Sequence, residues 1–348
     1  MKLHERIASD LSTWNRCARA YEDAIVLGHP DVCAYEAFVE DFLDALLLYL
    51  IRDAGVCVRL FDVGCGSARL HLRYGRKTTP LPRNETNGSI APDPIMAAGL
   101  SRIDGIDFSA EMLEIAHAKL EAAGLLPRAA DRIGLRQGSA FDLEAMPGEG
   151  VPVAVAVCNT IGVMQGPEGA RKLLDAVRRV VEPEGGVALI SAYRKDAVAS
   201  HALGNYESTM HVSGQPCWLK PAKFVSRDVV PVPLDIKRAF DPKATIRVAA
   251  RNQAGETVEE YLLERDPDEV KRTISRGHIR TYWDYESHWY STARLRRWMD
   301  EIWAGLPHRH IAGGALDRVR AGPAQLAVLD AGGRLEAFFA RLGMRKGT

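Results

Sequence analysis

Residues 58–69 read Val-Arg-Leu-Phe-Asp-Val-Gly-Cys-Gly-Ser-Ala-Arg, an apolar run that breaks into two closely spaced glycines, Gly64 and Gly66. A run without polar alternation is typical of a parallel strand that is covered on both faces. Glycine lets the backbone turn sharply and approach a ligand closely. The stretch therefore predicts a buried strand that leads into a ligand-binding turn.

Two kinds of ligand compete for this turn. A dinucleotide-binding loop needs the pattern G-x-G-x-x-G, but Arg69 stands where the third glycine would let helix and strand pack closely. The order of residues 62–69, with an acid two residues before the first glycine, instead resembles the first motif of class I S-adenosylmethionine (SAM) dependent methyltransferases. The resemblance implies that the turn passes close to the methionine part of SAM. Its cofactor-binding residues are then Asp62, Gly64, Cys65 and Gly66.

Composition narrows the classes of partner. The chain has 348 residues, which favours one large domain with insertions or two domains that share a site. Lys plus Arg number 45 and Asp plus Glu number 45, so no overall charge attracts nucleic acid or an anionic membrane. The longest apolar run, residues 45–51, is far shorter than the roughly 20 residues that span a bilayer, and residues 1–6 lack a signal-peptide core. These features predict a cytoplasmic protein with a small-molecule partner.

No metal site is expected from the sequence. The six cysteines are scattered without a C-x-x-C pair or another paired ligand spacing. His308 and His310 could share one face of a strand, but no third ligand is suggested near them.

Residues 1–54 predict an N-terminal helical cap, because their apolar residues recur at helical spacing. Within it, residues 14–21 resemble the aromatic helix that precedes the first motif in many small-molecule methyltransferases. The resemblance implies that Tyr21 closes over the cofactor. The alternative is a purely structural amphipathic cap.

A second strand is expected to end at Asp107, followed by a helix that Ser109 caps. A carboxylate at a strand end can accept hydrogen bonds from both ribose hydroxyls. The family resemblance points to Asp107 for this role. It implies that Phe108 and Met112 offer apolar contact to the adenine.

The third strand and its loop, residues 133–143, are expected on the adenine side of the cofactor, with Ser139, Ala140 and Phe141 as contacts. Many family members have an acid directly after the glycine of this loop, where this chain has Ser139. Either Ser139 or Asp142 could bond the adenine amino group, and Asp142 could equally cap a helix.

The fourth strand, residues 151–157, ends in Asn159 and Thr160. Its end resembles the Asn-x-x-Gly element of amino-group and other small-molecule methyltransferases rather than the Asn-Pro-Pro-Tyr element of nucleic-acid adenine enzymes. Because ligands bind at the carboxyl ends of parallel strands, both residues are expected between cofactor and substrate. Asn159 is also a candidate catalytic residue.

A helix over residues 167–181 and a fifth strand over residues 187–193 complete the resemblance. The expected fold is α/β, a Rossmann-like seven-stranded, mostly parallel sheet with helices on both faces, a helical cap and an inserted antiparallel lid. The SAM-binding core covers residues 55–193, with a loop insertion at 75–99, and residues 291–348 complete it.

Residues 194–290 are expected to form the substrate-binding insertion, with a β-hairpin from two alternating runs around residues 245–263. Its end is rich in aromatic residues, which could surround the substrate and shelter the sulfonium or could simply be core. His288 is the candidate general base and Tyr206 a second catalytic candidate. The substrate-binding candidates are His211, Trp218, Arg280, Tyr282, Trp283, Tyr285 and Trp289.

The resemblance implies methyl transfer from SAM to a small molecule, with N-methylation of an amino-acid-like metabolite as first choice. An O- or C-methyltransferase of a secondary metabolite and a non-catalytic SAM-binding protein are the alternatives. A dehydrogenase is disfavoured by Arg69, and a nucleic-acid or protein methyltransferase by the neutral charge balance. A homodimer is the expected assembly.

Overall fold

A seven-stranded sheet forms the centre of the computed structural model, which describes residues 14–15, 18, 30–75, 99–126, 132–144, 148–164, 166–193, 208–212, 215–219, 245–251, 257–264, 290–312 and 324–344. The strands in these ranges are β1 (Val58–Val63), β2 (Leu100–Asp107), β3 (Ile133–Gln137), β4 (Val151–Ala156), β5 (Val187–Tyr193), β6 (Ser208–Val212), β7 (Gln215–Leu219), β8 (Thr245–Arg251), β9 (Thr257–Glu264), β10 (His308–Ala312) and β11 (Ala324–Asp330). The sheet has the order β10-β11-β5-β4-β1-β2-β3. Its neighbours pair in parallel except for β11, which runs antiparallel to both β5 and β10. The predicted Rossmann-like, mostly parallel sheet is confirmed.

Six helices lie in the described residues, and two of them begin at start signals in the sequence. They are α1 (Pro30–Leu48), α2 (Arg69–Gly75), α3 (Ala110–Ala122), α4 (Pro167–Val181), α5 (Thr292–Ile302) and α6 (Glu336–Arg341), with a π-helical turn at Tyr49–Asp53 and 3-10 turns at Thr160–Val163 and Glu182–Glu184. The hydroxyl of Ser109 accepts a hydrogen bond from the Met112 backbone at 3.2 Å, so Ser109 caps α3 as predicted. Pro167 opens α4, a position where its missing N–H is not needed.

Alternate residues of β1 enter two separate hydrophobic cores. Leu60 packs in one core with Leu43 of α1 and Phe338 of α6. Phe61 packs in the other with Leu173 of α4 and Trp298 of α5. Because each buried side chain of this size stabilises the fold by about 1.5–3 kcal/mol, β1 holds the helices on both faces of the sheet.

A buried ionic network fixes α1 to α2. The Nε of Arg69 donates to Oε1 of Glu40 at 2.5 Å, and Nη1 of Arg73 donates to the other oxygen of Glu40 at 3.1 Å. Arg73 also donates to both carboxylate oxygens of Asp44, which accepts a further bond from the hydroxyl of Tyr74 at 2.8 Å. Arg69, which excludes the dinucleotide pattern, thus serves as the link between the N-terminal helix and the first crossover helix.

Two antiparallel pairs lie in the expected insertion. Strand β8 pairs with β9, which confirms the predicted hairpin, and β6 pairs with β7. The predicted loop insertion falls almost wholly on residues 76–98, which lie outside the described residues. Among the helices described, none is both long enough and apolar enough to cross a bilayer.

The strand order reverses at β1. The chain builds β2 and β3 on one side of β1, then returns to place β4 and β5 on the other side. In open parallel sheets, ligands bind in the crevice outside the carboxyl ends of the strands at such a switch point. The turn after β1 and the end of β4 therefore meet where a ligand is expected.

Candidate functional site

Of the two glycines in the turn after β1, Gly64 is crowded by a neighbouring side chain and Gly66 is not. Gly64 has φ +73°, and a Cβ added there would lie 2.7 Å from Cγ2 of Thr160, so only glycine fits against the loop after β4. Gly66 has φ +50°, and no described atom lies within 4 Å of an added Cβ. The turn therefore offers a ligand the open face of Gly66.

The third left-handed residue of the turn is Ala68, with φ +65°. The dinucleotide pattern would need its third glycine at position 69. Here the conformation that favours glycine falls one residue earlier, and Arg69 is the first residue of α2. Ala68 is fully buried, and its N–H donates to the Cys65 carbonyl at 3.0 Å. The turn thus closes in a way that differs from a dinucleotide loop.

The backbone N–H groups of the turn are already bonded within the protein. Gly64 and Cys65 both donate to the carbonyl of Ile106, at 2.8 and 3.0 Å. Gly66 donates to Oδ2 of Asp107 at 2.9 Å. Phosphate-binding turns need such N–H groups to face their ligand. This turn is therefore poorly suited to a pyrophosphate.

Asp107 lies at the end of β2, as predicted, and is bonded through both oxygens. Oδ1 accepts from the Ser109 backbone and Oδ2 from the Gly66 backbone, each at 2.9 Å. Burial raises the pKa of Asp107, and these backbone hydrogen bonds oppose the rise. Since each carboxylate oxygen has two lone pairs, Asp107 keeps acceptor capacity for a pair of hydroxyls.

A second carboxyl, that of Asp62, lies buried behind the turn. Burial and then the charge of Asp107 raise the pKa of Asp62 to about 7, while Arg69 opposes the rise. A positively charged ligand beside the two acids would favour their ionised forms. SAM carries a sulfonium and an ammonium group, so the acids and the open face of Gly66 fit it.

The thiol of Cys65 lies against β2. A Cβ added at Gly105 would lie 2.8 Å from its Sγ and 2.6 Å from Cε1 of His71. Burial raises the pKa of Cys65 well above that of an ordinary thiol. Its predicted cofactor contact is therefore assigned to the backbone rather than to the sulfur.

The end of β4 has strained backbone. Cys158 and Asn159 have φ +56° and +55°, a conformation rare for residues other than glycine. The next residue, Thr160, donates from Oγ1 to the Val157 carbonyl at 2.6 Å, and the Gly162 N–H donates to the Asn159 carbonyl at 2.7 Å. Strained residues at strand ends often mark functional sites.

The loop after β3 is attached to the end of β2. The Gly138 N–H donates to the Asp107 carbonyl at 2.9 Å, and Gln137 donates to the Phe108 carbonyl at 3.1 Å. The Ser139 hydroxyl accepts from the Phe141 backbone at 3.1 Å, so it orders this loop. Four residues predicted to contact the adenine lie just after β2, in α3 or in the loop after β3: Phe108, Met112, Ala140 and Phe141.

Residues 88–185 match the model of a family described as a methyltransferase domain. The match includes Asp107, Ser139 and Asn159, and it adds to a fold and a turn geometry that already fit SAM. The chain contains a class I SAM-dependent methyltransferase domain. Its cofactor is SAM.

Several solved structures are similar to this methyltransferase. The CcbJ methyltransferase from Streptomyces caelestis has 15% identity and a TM-score of 0.45, over 91% of this chain and 96% of that one. A SAM-dependent methyltransferase from Clostridium acetobutylicum ATCC 824 has 14% identity and a TM-score of 0.46, over 92% and 99%. The DhpI–SAH complex has 13% identity and a TM-score of 0.45, over 93% and 95%. No curated protein matches the chain.

The predicted acceptor side of the methyltransferase lies mostly outside the described residues. This holds for Tyr206, Arg280, Tyr282, Trp283, Tyr285, His288 and Trp289. Tyr21, predicted to close over the cofactor, also lies outside the described residues. His211 lies in β6 and Trp218 in β7, but their side chains are not described. Among the described residues, no group of three or more His, Cys, Asp or Glu side chains could hold a metal ion.

Two residues near the site have no part in the sequence-based predictions. Asn15 accepts a hydrogen bond from the Ser109 hydroxyl at 2.7 Å, and its only sequence signal is a polar residue beside Trp14 in the aromatic helix. His71 is buried in α2, 3.7 Å from Asp62. Its only sequence signal is a histidine between Leu70 and Leu72.

Proposed function

We propose that this methyltransferase transfers the methyl group of SAM to a nitrogen of a small, amino-acid-like metabolite. The observation that supports it best is the strained pair Cys158 and Asn159 at the end of β4. Strain of this kind costs about 1–3 kcal/mol per residue and persists where surrounding structure maintains it. The pair keeps an amide residue directly beside Thr160, which contacts the glycine turn.

When bound, SAM supplies an activated methyl group, so the protein has to align the acceptor, exclude water and accept a proton. We assign alignment to Asn159, whose amide oxygen is a suitable acceptor for the N–H of an amine. His288, with Tyr206 as a second candidate, is assigned to accept the proton, and the aromatic residues near it to enclose the acceptor. These lid assignments rest on the sequence, as do the cytoplasmic location, the homodimer and the absence of nucleic-acid and membrane partners.

The test is methyl transfer from radiolabelled SAM to fractionated metabolite pools. Label in a small molecule with an N-methyl group supports the proposal, whereas an O- or C-methyl product overturns the nitrogen assignment. Label in RNA or in protein overturns the small-molecule class.

The matched variant is Asn159→Gly, because glycine keeps the left-handed backbone and removes only the amide. We expect turnover to fall at least tenfold while SAM affinity stays within about twofold. Unchanged turnover would remove Asn159 from the acceptor site.

A further inference from the structure

In the N-terminal segment around residues 14–18, the side chain of Asn15 contacts the site. Trp14 and Ala18 lie four residues apart, on one helical face, and are 8% and 1% exposed. They anchor the segment in the protein. Between them, Asn15 is half-buried and extends to Ser109, 94 positions along the chain.

Ser109 is hydrogen-bonded through both its hydroxyl and its backbone. Its hydroxyl oxygen accepts from the Met112 backbone at 3.2 Å, and its hydroxyl proton is donated to Oδ1 of Asn15 at 2.7 Å. Its backbone N–H donates to Oδ1 of Asp107 at 2.9 Å. Asn15 binds the hydroxyl of the residue whose backbone N–H binds Asp107, so it restrains a shift of residue 109 that would disturb the bond to Asp107.

The chain of contacts continues into the glycine turn. The other oxygen of Asp107 accepts from Gly66 at 2.9 Å, so three hydrogen bonds join Asn15 to the turn through Ser109 and Asp107. In a buried setting such linked bonds reinforce one another. The orientation of Asp107 thus depends on a residue from the N-terminal segment.

We propose that Asn15 is a positioning residue that couples docking of the N-terminal segment to SAM binding, by fixing Ser109 and through it Asp107. The proposal rests on the cofactor role of Asp107. Coupling of this kind is reciprocal: if docking of the segment raises SAM affinity, then bound SAM stabilises the docked segment by the same factor. Asn15 therefore sets the KM for SAM and leaves the chemical step unchanged.

The first test measures affinity for SAM and S-adenosylhomocysteine by calorimetry. We expect Asn15→Ala to weaken both about three- to tenfold, the effect of one neutral hydrogen bond, with kcat at saturating SAM unchanged. Asn15→Asp keeps the acceptor for Ser109 and is expected to restore most of the affinity. If Asn15→Ala binds as tightly as the wild type, or lowers kcat alone, the proposal is wrong.

Ser109→Gly is the matched variant at the other end of the bond, because glycine keeps most of the helix cap but has no hydroxyl. If both substitutions remove the same hydrogen bond, the double variant should bind SAM as tightly as the single variant with the lower affinity. Additive losses would contradict the proposal.

The second test is hydrogen exchange of the backbone around residues 14–18 with and without S-adenosylhomocysteine. Added ligand should protect this segment in the wild type and much less in Asn15→Ala. Equal protection in both would overturn the coupling. If the wild type binds neither ligand, the proposed function itself is wrong. If the wild type binds and Asn15→Ala binds with the same affinity, only this inference is wrong.

Discussion

The Nδ1 of His71 lies 3.7 Å from Oδ2 of Asp62, and both side chains are buried behind the glycine turn. Both ring nitrogens of His71 are buried. Burial lowers the pKa of His71 to about 4, and burial together with the charge of Asp107 raises the pKa of Asp62 to about 7. Between pH 4 and 6.5 both groups are therefore largely neutral in the fold, whereas both are largely charged in the unfolded chain.

The two groups give opposite pH dependences to the stability of the protein without ligand. At His71 the unfolded chain binds more protons than the folded chain does. The contribution of His71 to stability therefore rises with pH between about 4 and 6.5. At Asp62 the folded chain binds more protons than the unfolded chain does. The contribution of Asp62 to stability therefore falls as the pH rises from about 4 to 7. We expect them largely to cancel in the wild type.

Substitution separates these contributions. For His71→Leu, the free energy of unfolding relative to wild type should fall by about 3 kcal/mol between pH 4 and 6.5, measured by urea denaturation. For Asp62→Asn the difference from wild type should rise over the same range. Curves that stay parallel to wild type in both variants would contradict the assigned pKa shifts.

Asp107→Ala should weaken SAM binding by about 1.5–3 kcal/mol, because a charged acceptor of hydrogen bonds is lost. The change also leaves the N–H groups of Gly66 and Ser109 without their acceptor, so stability should fall as well. Calorimetry and urea denaturation together separate the two effects. Glu111→Gln, at an exposed position in the first turn of α3, is the control and should change neither. SAM affinity that Asp107→Ala leaves unaltered would refute the ribose role.

Alanine at the two glycines of the turn should have different consequences. Gly64→Ala places a methyl group 2.7 Å from Cγ2 of Thr160, so we expect a loss of about 2 kcal/mol or more in stability. Gly66→Ala meets no described atom, so stability should fall by only about 1 kcal/mol while SAM binding is lost. Thermal unfolding and calorimetry measure the two quantities.

Thr160→Ser supplies the control for this pair, since it removes Cγ2 and keeps the hydroxyl. Added to Gly64→Ala it should restore part of the lost stability, and added to Gly66→Ala it should not restore SAM binding. The reverse outcome would place the crowded side of the turn at Gly66.

Arg73→Met should destabilise the protein by about 3 kcal/mol or more, because the buried Asp44 would lose its cationic partner and Glu40 would keep only Arg69. Arg178 is the matched control, because it also pairs with two acids but is more exposed, and Arg178→Met should cost less than about 1 kcal/mol. Urea denaturation of both variants measures the difference. Equal losses would mean that the buried network does not fix α1 to α2.

The sequence predicts the order of strands and helices well, because apolar periodicity and cap residues are local signals. Ser109 as the cap of α3 and Pro167 at the start of α4 are both confirmed. The left-handed backbone at Ala68 and Cys158 leaves no comparable signal, since neither residue type favours it. Contacts between distant residues, such as Asn15 with Ser109, depend on tertiary packing that no local pattern specifies.

The contact between Gly64 and Thr160 limits how this enzyme can be redesigned. A larger side chain at position 160 would press on the glycine turn at Gly64, the turn proposed to bind SAM. Substitutions aimed at the proposed acceptor site are therefore better made at Asn159 or in the proposed lid. Libraries that randomise position 160 should be restricted to serine, alanine and glycine.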